Sequence, residues 1–182
     1  MMMMSDLAAF LAYYVPQAEG TAVWGAGTIP LRLRAYLGQT QPPLRYVTSA
    51  RCLVFRNDAL LVMRNRDSVH ILPGGRREEG EPLEDTIRRE VLEEAGWTLH
   101  RLVMLGFMWF HHLAPKPPGY PYLYPDFIQV VYMAEAADYR PDARLSDDYE
   151  IEAGFRPLAT VQSLVLTPGE RLYLAAALDR RA

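Results

Sequence analysis

Cysteine, lysine and long apolar runs are nearly missing from this chain, and each shortage closes off a class of protein. Cys52 is the only cysteine, so no disulfide can form within the chain, and a reducing cytoplasm is the expected setting. Lys116 is the only lysine, which leaves cationic recognition to arginine, whose planar fork suits phosphate. A net charge of −3 gives no basis for a broad nucleic-acid-binding surface. No stretch approaches the roughly 18 consecutive apolar residues of a membrane span. The opening segment, MMMMSDLAAFLAYYVPQ, has no basic leader, and Asp6 interrupts its short apolar stretch, so it does not read as a secretory signal. With 182 residues, 50% of them hydrophobic and 23% charged, the expectation is one domain with a sizeable core. Neither internal repeats nor low-complexity segments interrupt it.

The most informative stretch runs from Gly74 to Trp97, GGRREEGEPLEDTIRREVLEEAGW. Pro82 suits the first position of a helix, and Gly96 suits the left-handed position just past its end. Between them Leu83, Ile87 and Val91 recur every four residues and form an apolar stripe. Glu90 and Glu94 are four apart, and Glu93 is three from Glu90, so the three occupy neighbouring turns. At about 100° per residue, Glu90 and Glu94 fall beside the apolar stripe, where the helix meets the protein, and not at the solvent pole. Like charges at this spacing repel, by roughly 0.2–0.5 kcal/mol per pair. A hard divalent cation, which takes oxygen ligands, is the most economical compensation. The alternative is an ordinary Glu- and Arg-rich surface helix with pairs such as Asp85–Arg89. The Gly74-Gly75 turn weighs against that, because paired glycines permit unusual dihedrals and close backbone approach.

Gly75, Glu81, Arg89, Glu90, Val91, Glu93, Glu94 and Gly96, with Trp97 in the final apolar slot, resemble the signature of the Nudix hydrolases. Every defining position is filled, and only the tryptophan is a mild departure. The resemblance implies an α/β fold, a Nudix-type α/β/α sandwich with a mixed β-sheet between helices. It further implies that Glu90, Glu93 and Glu94 bind Mg²⁺ (or Mn²⁺), with the backbone carbonyl of Gly74 as a further ligand. Arg89 and Glu81 would form the ion pair that braces the loop against the helix. The implied activity is metal-dependent hydrolysis of a diphosphate linkage in a nucleoside diphosphate derivative: a nucleotide, a nucleotide sugar such as ADP-ribose, or a dinucleoside polyphosphate. Metal ions neutralise phosphate oxygens and lower the pKa of bound water, and a nearby carboxylate, Glu94 or Glu90, can take the proton.

Residues 1–43 read as an extension ahead of a catalytic domain spanning 44–182, with Pro42-Pro43 marking the boundary. Asp6 to Val15 suggests a short helix, and Thr21 to Leu37 one or two short strands. The extension is either a packing arm, a homodimer contact or a wall of the substrate pocket. In the domain itself, Tyr46–Phe55 and Ala59–Met63 read as a hairpin about Asn57-Asp58. Leu99–His111 and Phe127–Met133 read as long strands, Phe155–Leu158 as a short final one, and Val161–Val165 and Glu170–Leu178 as helices.

Substrate contacts are expected from Trp109 to Asp126, rich in proline and tyrosine, whose aromatics can stack on a base. Trp109, His111 and Tyr120 are the candidates there, although adjacent histidines on a strand face opposite ways, so at most one of His111 and His112 faces a site. Arg64, Arg66 and Arg76 are candidates for the phosphate path. The acidic group Asp147, Asp148, Glu150 and Glu152 stands where members of the resembled family often supply an extra ligand or base, Glu150 and Glu152 matching best; a solvated acidic loop explains it equally well. Cys52 reads as a small buried strand residue. Two other readings compete on the same fold: isopentenyl-diphosphate isomerase, which uses a catalytic cysteine and a histidine-containing metal site, and a non-catalytic nucleotide-binding module. Cys52 has no matching histidine neighbours, and the signature is intact, so the hydrolase reading is preferred.

Overall fold

The computed structural model describes residues 6–25, 27–66, 68–145 and 150–181, without the side chains of Glu150 and Ile151. Its frame is an eight-stranded mixed sheet with helices on both faces. In chain order the elements are α1 (Asp6–Leu11), β1 (Ala18–Trp24), β2 (Ile29–Leu37), β3 (Val47–Arg56), β4 (Ala59–Asn65), β5 (Val69–His70), α2 (Leu83–Ala95), β6 (Trp97–His112), β7 (Asp126–Tyr139), β8 (Glu150–Pro157), α3 (Leu158–Gln162) and α4 (Pro168–Arg181). The sheet order is β1-β2-β6-β7-β3-β4-β5, with β8 paired to β4. Only β3 and β7 run parallel among these pairs; the rest are antiparallel.

Sequence chemistry explains the layering. The central strand β3 is buried on both faces, as its near-continuous apolar run requires. Its even-numbered residues Ala50, Cys52 and Val54 pack with Leu83, Ile87 and Val91 of α2. Leu53 and Phe55 pack on the other face with Tyr173, Leu174 and Ala177 of α4. The β3–β4 hairpin turns at Asn57, one of the few non-glycine residues with positive φ (52°), a conformation asparagine tolerates. Helix α2 carries Glu84 and Asp85 in its first turn, favourable at the positive end of the helix dipole. It stops at Gly96 (φ 75°), whose N–H donates to the Leu92 carbonyl (2.9 Å), the left-handed cap its sequence position predicts.

Several elements differ from the sequence expectation. Pro82 stands just before α2, as its N-cap. The last strand starts at Glu150, ahead of the expected Phe155, and ends at Pro157; Leu158 already belongs to α3. That helix ends at Gln162, earlier than expected, and Val165 is almost fully exposed. Helix α1 is shorter than the expected Asp6–Val15.

The hairpin of β1 and β2 is not a loose arm. Strand β2 pairs with β6 from Leu31↔His112 to Leu37↔Gly106, and Leu31, Ala35 and Tyr36 are buried. Tyr36 stacks on Phe107 (4.9 Å between ring centroids), against which Phe10 and Tyr14 also pack. Among the described residues no helix is long and apolar enough to cross a membrane.

Leu31 is 0% exposed, so truncating it measures how firmly the hairpin belongs to the core. Leu31→Ala is expected to lower stability by about 2–5 kcal/mol in urea unfolding, the usual cost of a buried Leu→Ala cavity. A loss below about 0.5 kcal/mol, typical of surface positions, would show a detachable hairpin.

Candidate active site

The segment between β5 and α2 runs as an extra rung along β3. Cys52 N–H donates to the Pro73 carbonyl (2.9 Å), Ala50 N–H to the Gly75 carbonyl (3.1 Å), and Arg77 N–H to the Thr48 carbonyl (2.9 Å). β3 pairs with β4 only at Phe55↔Leu60 and Arg56↔Ala59, which leaves room for the loop beside the rest of the strand. Helix α2 lies against this loop. A Cβ on Gly75 would collide with the Glu90 carboxylate, so glycine is required for the glutamate to lie there. The Glu94 carboxylate accepts the Gly74 N–H at 2.9 Å.

Arg89 ties these parts together. Its guanidinium holds Glu81 bidentately, Nε to Oε1 at 2.9 Å and Nη2 to Oε2 at 3.0 Å. Nη1 donates to Glu90 at 2.8 Å and lies 3.4 Å from Glu93, while Nη2 also reaches the Arg76 carbonyl at 3.1 Å. Glu81 further accepts the Thr86 hydroxyl (2.7 Å) and the Glu78 N–H (3.1 Å). The Arg89 hydrogen bonds outweigh the effect of burial and hold the Glu81 carboxyl down at about 2, against an ordinary 4.5. The same pair raises the Arg89 pKa further. At the far end of α2, the Leu145 N–H and Arg144 Nε cap the Glu93 and Glu94 carbonyls (2.8 and 2.9 Å).

Glu81, Arg89, Glu90, Glu93, Glu94 and Gly74 thus converge. Two details go beyond the sequence expectation. Arg51 of β3 donates to the Gly74 carbonyl, so one lone pair of that oxygen is engaged. With Glu90 and Glu93 facing Arg89, no group of three His, Cys, Asp or Glu residues among the described residues stands ready around a common metal position.

A cleft opens beside the loop. One part, about 920 Å³, is bordered by Gly74, Gly75, Glu94, Arg51, Asn65, Ser68 and His70. The adjoining part, about 440 Å³, is walled by Trp24, Tyr120, Tyr122 and Phe127, with Ser49, Arg51, Arg76 and Gln129 beside them. Trp24, Gly25, Arg51 and Gln129 border both. The Arg76 guanidinium lies 3.9 Å from the Tyr122 ring centroid, a cation–π contact that sets both side chains.

Of the substrate candidates, Arg76 and Tyr120 are in this cleft. Trp109 and His111 are not among its lining residues. They alternate onto the α2 face of β6, where both contact Asp126 (3.0 and 2.8 Å) and their rings stack 5.5 Å apart. His112 faces the other way and is buried among Tyr120, Tyr124 and Phe127; burial, with His111 adding to it, pushes its pKa down. Arg64 pairs with Glu152 (3.3 Å), which also holds Arg156 (2.6 Å); this cluster borders a separate cavity against α3. Arg66 is exposed and does not line the cleft. Glu150 opens β8 opposite Asn65, and its side chain, like all of Asp147 and Asp148, lies outside the described residues. Cys52 is fully buried and its thiol pKa is strongly raised by that burial, which gives no support to thiol chemistry.

Trp24, Ser49, Arg51, Phe127 and Gln129 were not foreseen as cleft residues. Ser49 and Arg51 did carry a signal: they stand two apart, the strand period, and with Thr48 interrupt the apolar run VTSARCLVF.

Residues 45–176 match the model of the NUDIX domain. The chain belongs to the NUDIX domain family. No curated protein matches it in sequence. The NUDIX fold is seen in a hydrolase from Nitrosomonas europaea (18% identity, 73% of this chain and 89% of that one, TM-score 0.53). It recurs in the Bacillus subtilis pyrophosphohydrolase BsRppH (14% identity, 88% and 97%, TM-score 0.56). A third likeness is the NUDIX domain of NrtR from Shewanella oneidensis, solved with ADP ribose (17% identity, 74% and 86%, TM-score 0.53). At these identities the likeness speaks for the NUDIX fold alone.

The depressed Glu81 pKa fixes the sign of a pH effect. A carboxylate that titrates lower in the folded protein stabilises it above its unfolded pKa, and that stability is lost as pH falls through the folded value. The ion pair should therefore lose its contribution between about 4.5 and about 2. Glu81→Gln should cost about 1.5–3 kcal/mol at pH 7, the range for hydrogen bonds to charged groups, with the gap to wild type closing toward pH 2. A gap unchanged across that window, read by denaturant titration, would refute the pairing energy.

Proposed function

We propose that this Nudix pyrophosphohydrolase cleaves the diphosphate linkage of a nucleoside diphosphate derivative, with Mg²⁺ or Mn²⁺ as cofactor. One observation carries the reading: a single cleft joins Glu94 and the glycines of the loop–helix unit to an aromatic-walled cavity, with Arg51 bordering both parts. The donor set fits a hard divalent cation. Glu90, Glu93, Glu94 and the Gly74 carbonyl offer only oxygen, three of the groups anionic, and no nitrogen or sulfur ligand intervenes. These four residues would hold the cation, which when bound supplies charge neutralisation for the phosphates and acidifies water.

The chain's own residues account for the rest. Arg89, saturated by Glu81 and the Arg76 carbonyl, keeps Glu90 turned toward the loop, and Gly75 leaves space for its carboxylate. Glu94 borders the cleft, which favours it over Glu90 as the group that takes the proton from the attacking water. Water adds to one phosphorus and the bridging oxygen leaves with the other phosphate: a nucleotide sugar gives two phosphate monoesters, and a nucleoside triphosphate cut at its α-phosphorus gives a monophosphate and pyrophosphate. Arg51 and Arg76 suit the phosphates, since guanidinium pairs bidentately with phosphate oxygens. The aromatic cavity suits the nucleoside, and the part near Asn65, Ser68 and His70 suits a polar second moiety. On this reading the extension of residues 1–43 contributes a wall of the substrate cleft through Trp24 and Gly25. The single, buried cysteine agrees with a reducing cytoplasm.

Loss of a general base costs about 10²–10⁴ in rate, so Glu94→Gln should lower kcat by that range while circular dichroism and unfolding stay near wild type. Chromatography of the products from a nucleotide-sugar and nucleoside triphosphate panel identifies the bond cut. Turnover should cease in EDTA and return with excess Mg²⁺. Full activity in the Gln variant, or turnover indifferent to chelation, would sink the proposal.

A further inference from the structure

Ser49 is only 5% exposed, and its hydroxyl has no hydrogen-bond partner among the described residues. Such groups destabilise a fold and are rare in native proteins, so each asks for an explanation. Here the residue borders the aromatic cavity. Its Cα partner across the β3–β7 ladder is Gln129, which borders the same cavity. The register between the two strands shifts just before this rung, between Val47 and Ser49, the kind of irregularity that re-aims a side chain. A backbone bridge to Arg76 then fixes the Ser49 position. Ser49 and Gln129 therefore stand side by side on the ladder, and both border a cavity whose walls are the rings of Trp24, Tyr120, Tyr122 and Phe127.

We propose that Ser49 and Gln129 are the base-reading pair of this enzyme: a nucleobase held against the aromatic walls turns its hydrogen-bonding edge to the hydroxyl and the amide. The inference rests on the nucleoside diphosphate reading of the cleft and deepens it. The chemistry matches, because an amide offers both donors and an acceptor and a hydroxyl can do either, while every base edge is a fixed sequence of the two. A base whose pattern leaves the amide unpaired is rejected, since a buried polar group without its partner is costly. The pair thus selects one base over the others, and the aromatic walls supply stacking that does not discriminate. From the pair the ribose and phosphates lead toward Arg51, which borders both parts of the cleft.

The test uses binding, apart from turnover. AMP, GMP, UMP, CMP and ribose 5-phosphate are titrated by calorimetry into the full chain in EDTA, with tryptophan emission, to which Trp24 of the cleft contributes, as a second readout. One nucleotide should bind at least about tenfold tighter than ribose 5-phosphate and than the weakest nucleotide, the scale of a single well-made hydrogen bond. Ser49→Ala and Gln129→Leu should each erase about tenfold of that preference and leave ribose 5-phosphate binding unchanged. Because it removes an unpaired hydroxyl, Ser49→Ala should leave the Tm of the free protein equal or higher. Ribose 5-phosphate binding as tightly as the nucleotides, a Ser49→Ala variant that keeps full preference, or a lowered Tm in that variant would each overturn the pair. Wild-type turnover with Mg²⁺ separates the two readings: no turnover with an intact base preference overturns the hydrolase and leaves the pair, and turnover without base preference does the reverse.

Discussion

The bidentate pair between Arg89 and Glu81 sets a constraint that no other contact in the site duplicates. Helix α2 carries neighbouring carboxylates that repel, and one guanidinium in the middle turns that repulsion into order by facing Glu81, Glu90 and Glu93 together. It also reaches the Arg76 carbonyl, so helix and loop are held in one piece. Lysine in the same place could not serve, because a point charge lacks the planar fork that meets two carboxylate oxygens and a carbonyl at once. The pair is largely shielded from water, a setting in which its hydrogen bonds count for more than at an open surface.

Around that pair the rest follows by packing. The apolar stripe of α2 seats the helix on one face of β3, and the opposite face of the same strand turns Ser49 and Arg51 toward the cleft. One strand therefore serves two purposes through its alternation of side chains. Its even positions anchor the charged helix, while Ser49 and Arg51, at odd positions, line the cleft.

Sequence reasoning went furthest where chemistry is local. The glycine turn, the helix with its left-handed cap and the convergence of Glu81, Arg89, Glu90, Glu93 and Glu94 all lie within one short segment, where spacing translates directly into geometry. It went less far where partners come from distant segments. Trp109 and His111 look like ligand contacts by composition, but which face of β6 they occupy depends on the register with β7 and β2. Trp24 enters the cleft because β2 pairs with β6, a long-range event that no local pattern announces. Arg64 carries a charge that fits a phosphate, yet it is matched across the β4–β8 ladder by Glu152. The polar interruptions Ser49 and Arg51 in β3 were legible in principle, since a strand buried on both faces has no reason to hold an arginine.

The loop that carries Gly74 and Gly75 doubles as β3's neighbour where β4 diverges. Its hydrogen bonds to Thr48, Ala50 and Cys52 close an edge that would otherwise lie open to pairing with another chain. Lifting the loop would expose that edge, so this wall of the cleft inherits the stiffness of the sheet. The facing wall comes from other elements, Trp24 at the end of β1 and Tyr120 and Tyr122 between β6 and β7, so the cleft sets a sheet-bound side against one drawn from distant segments.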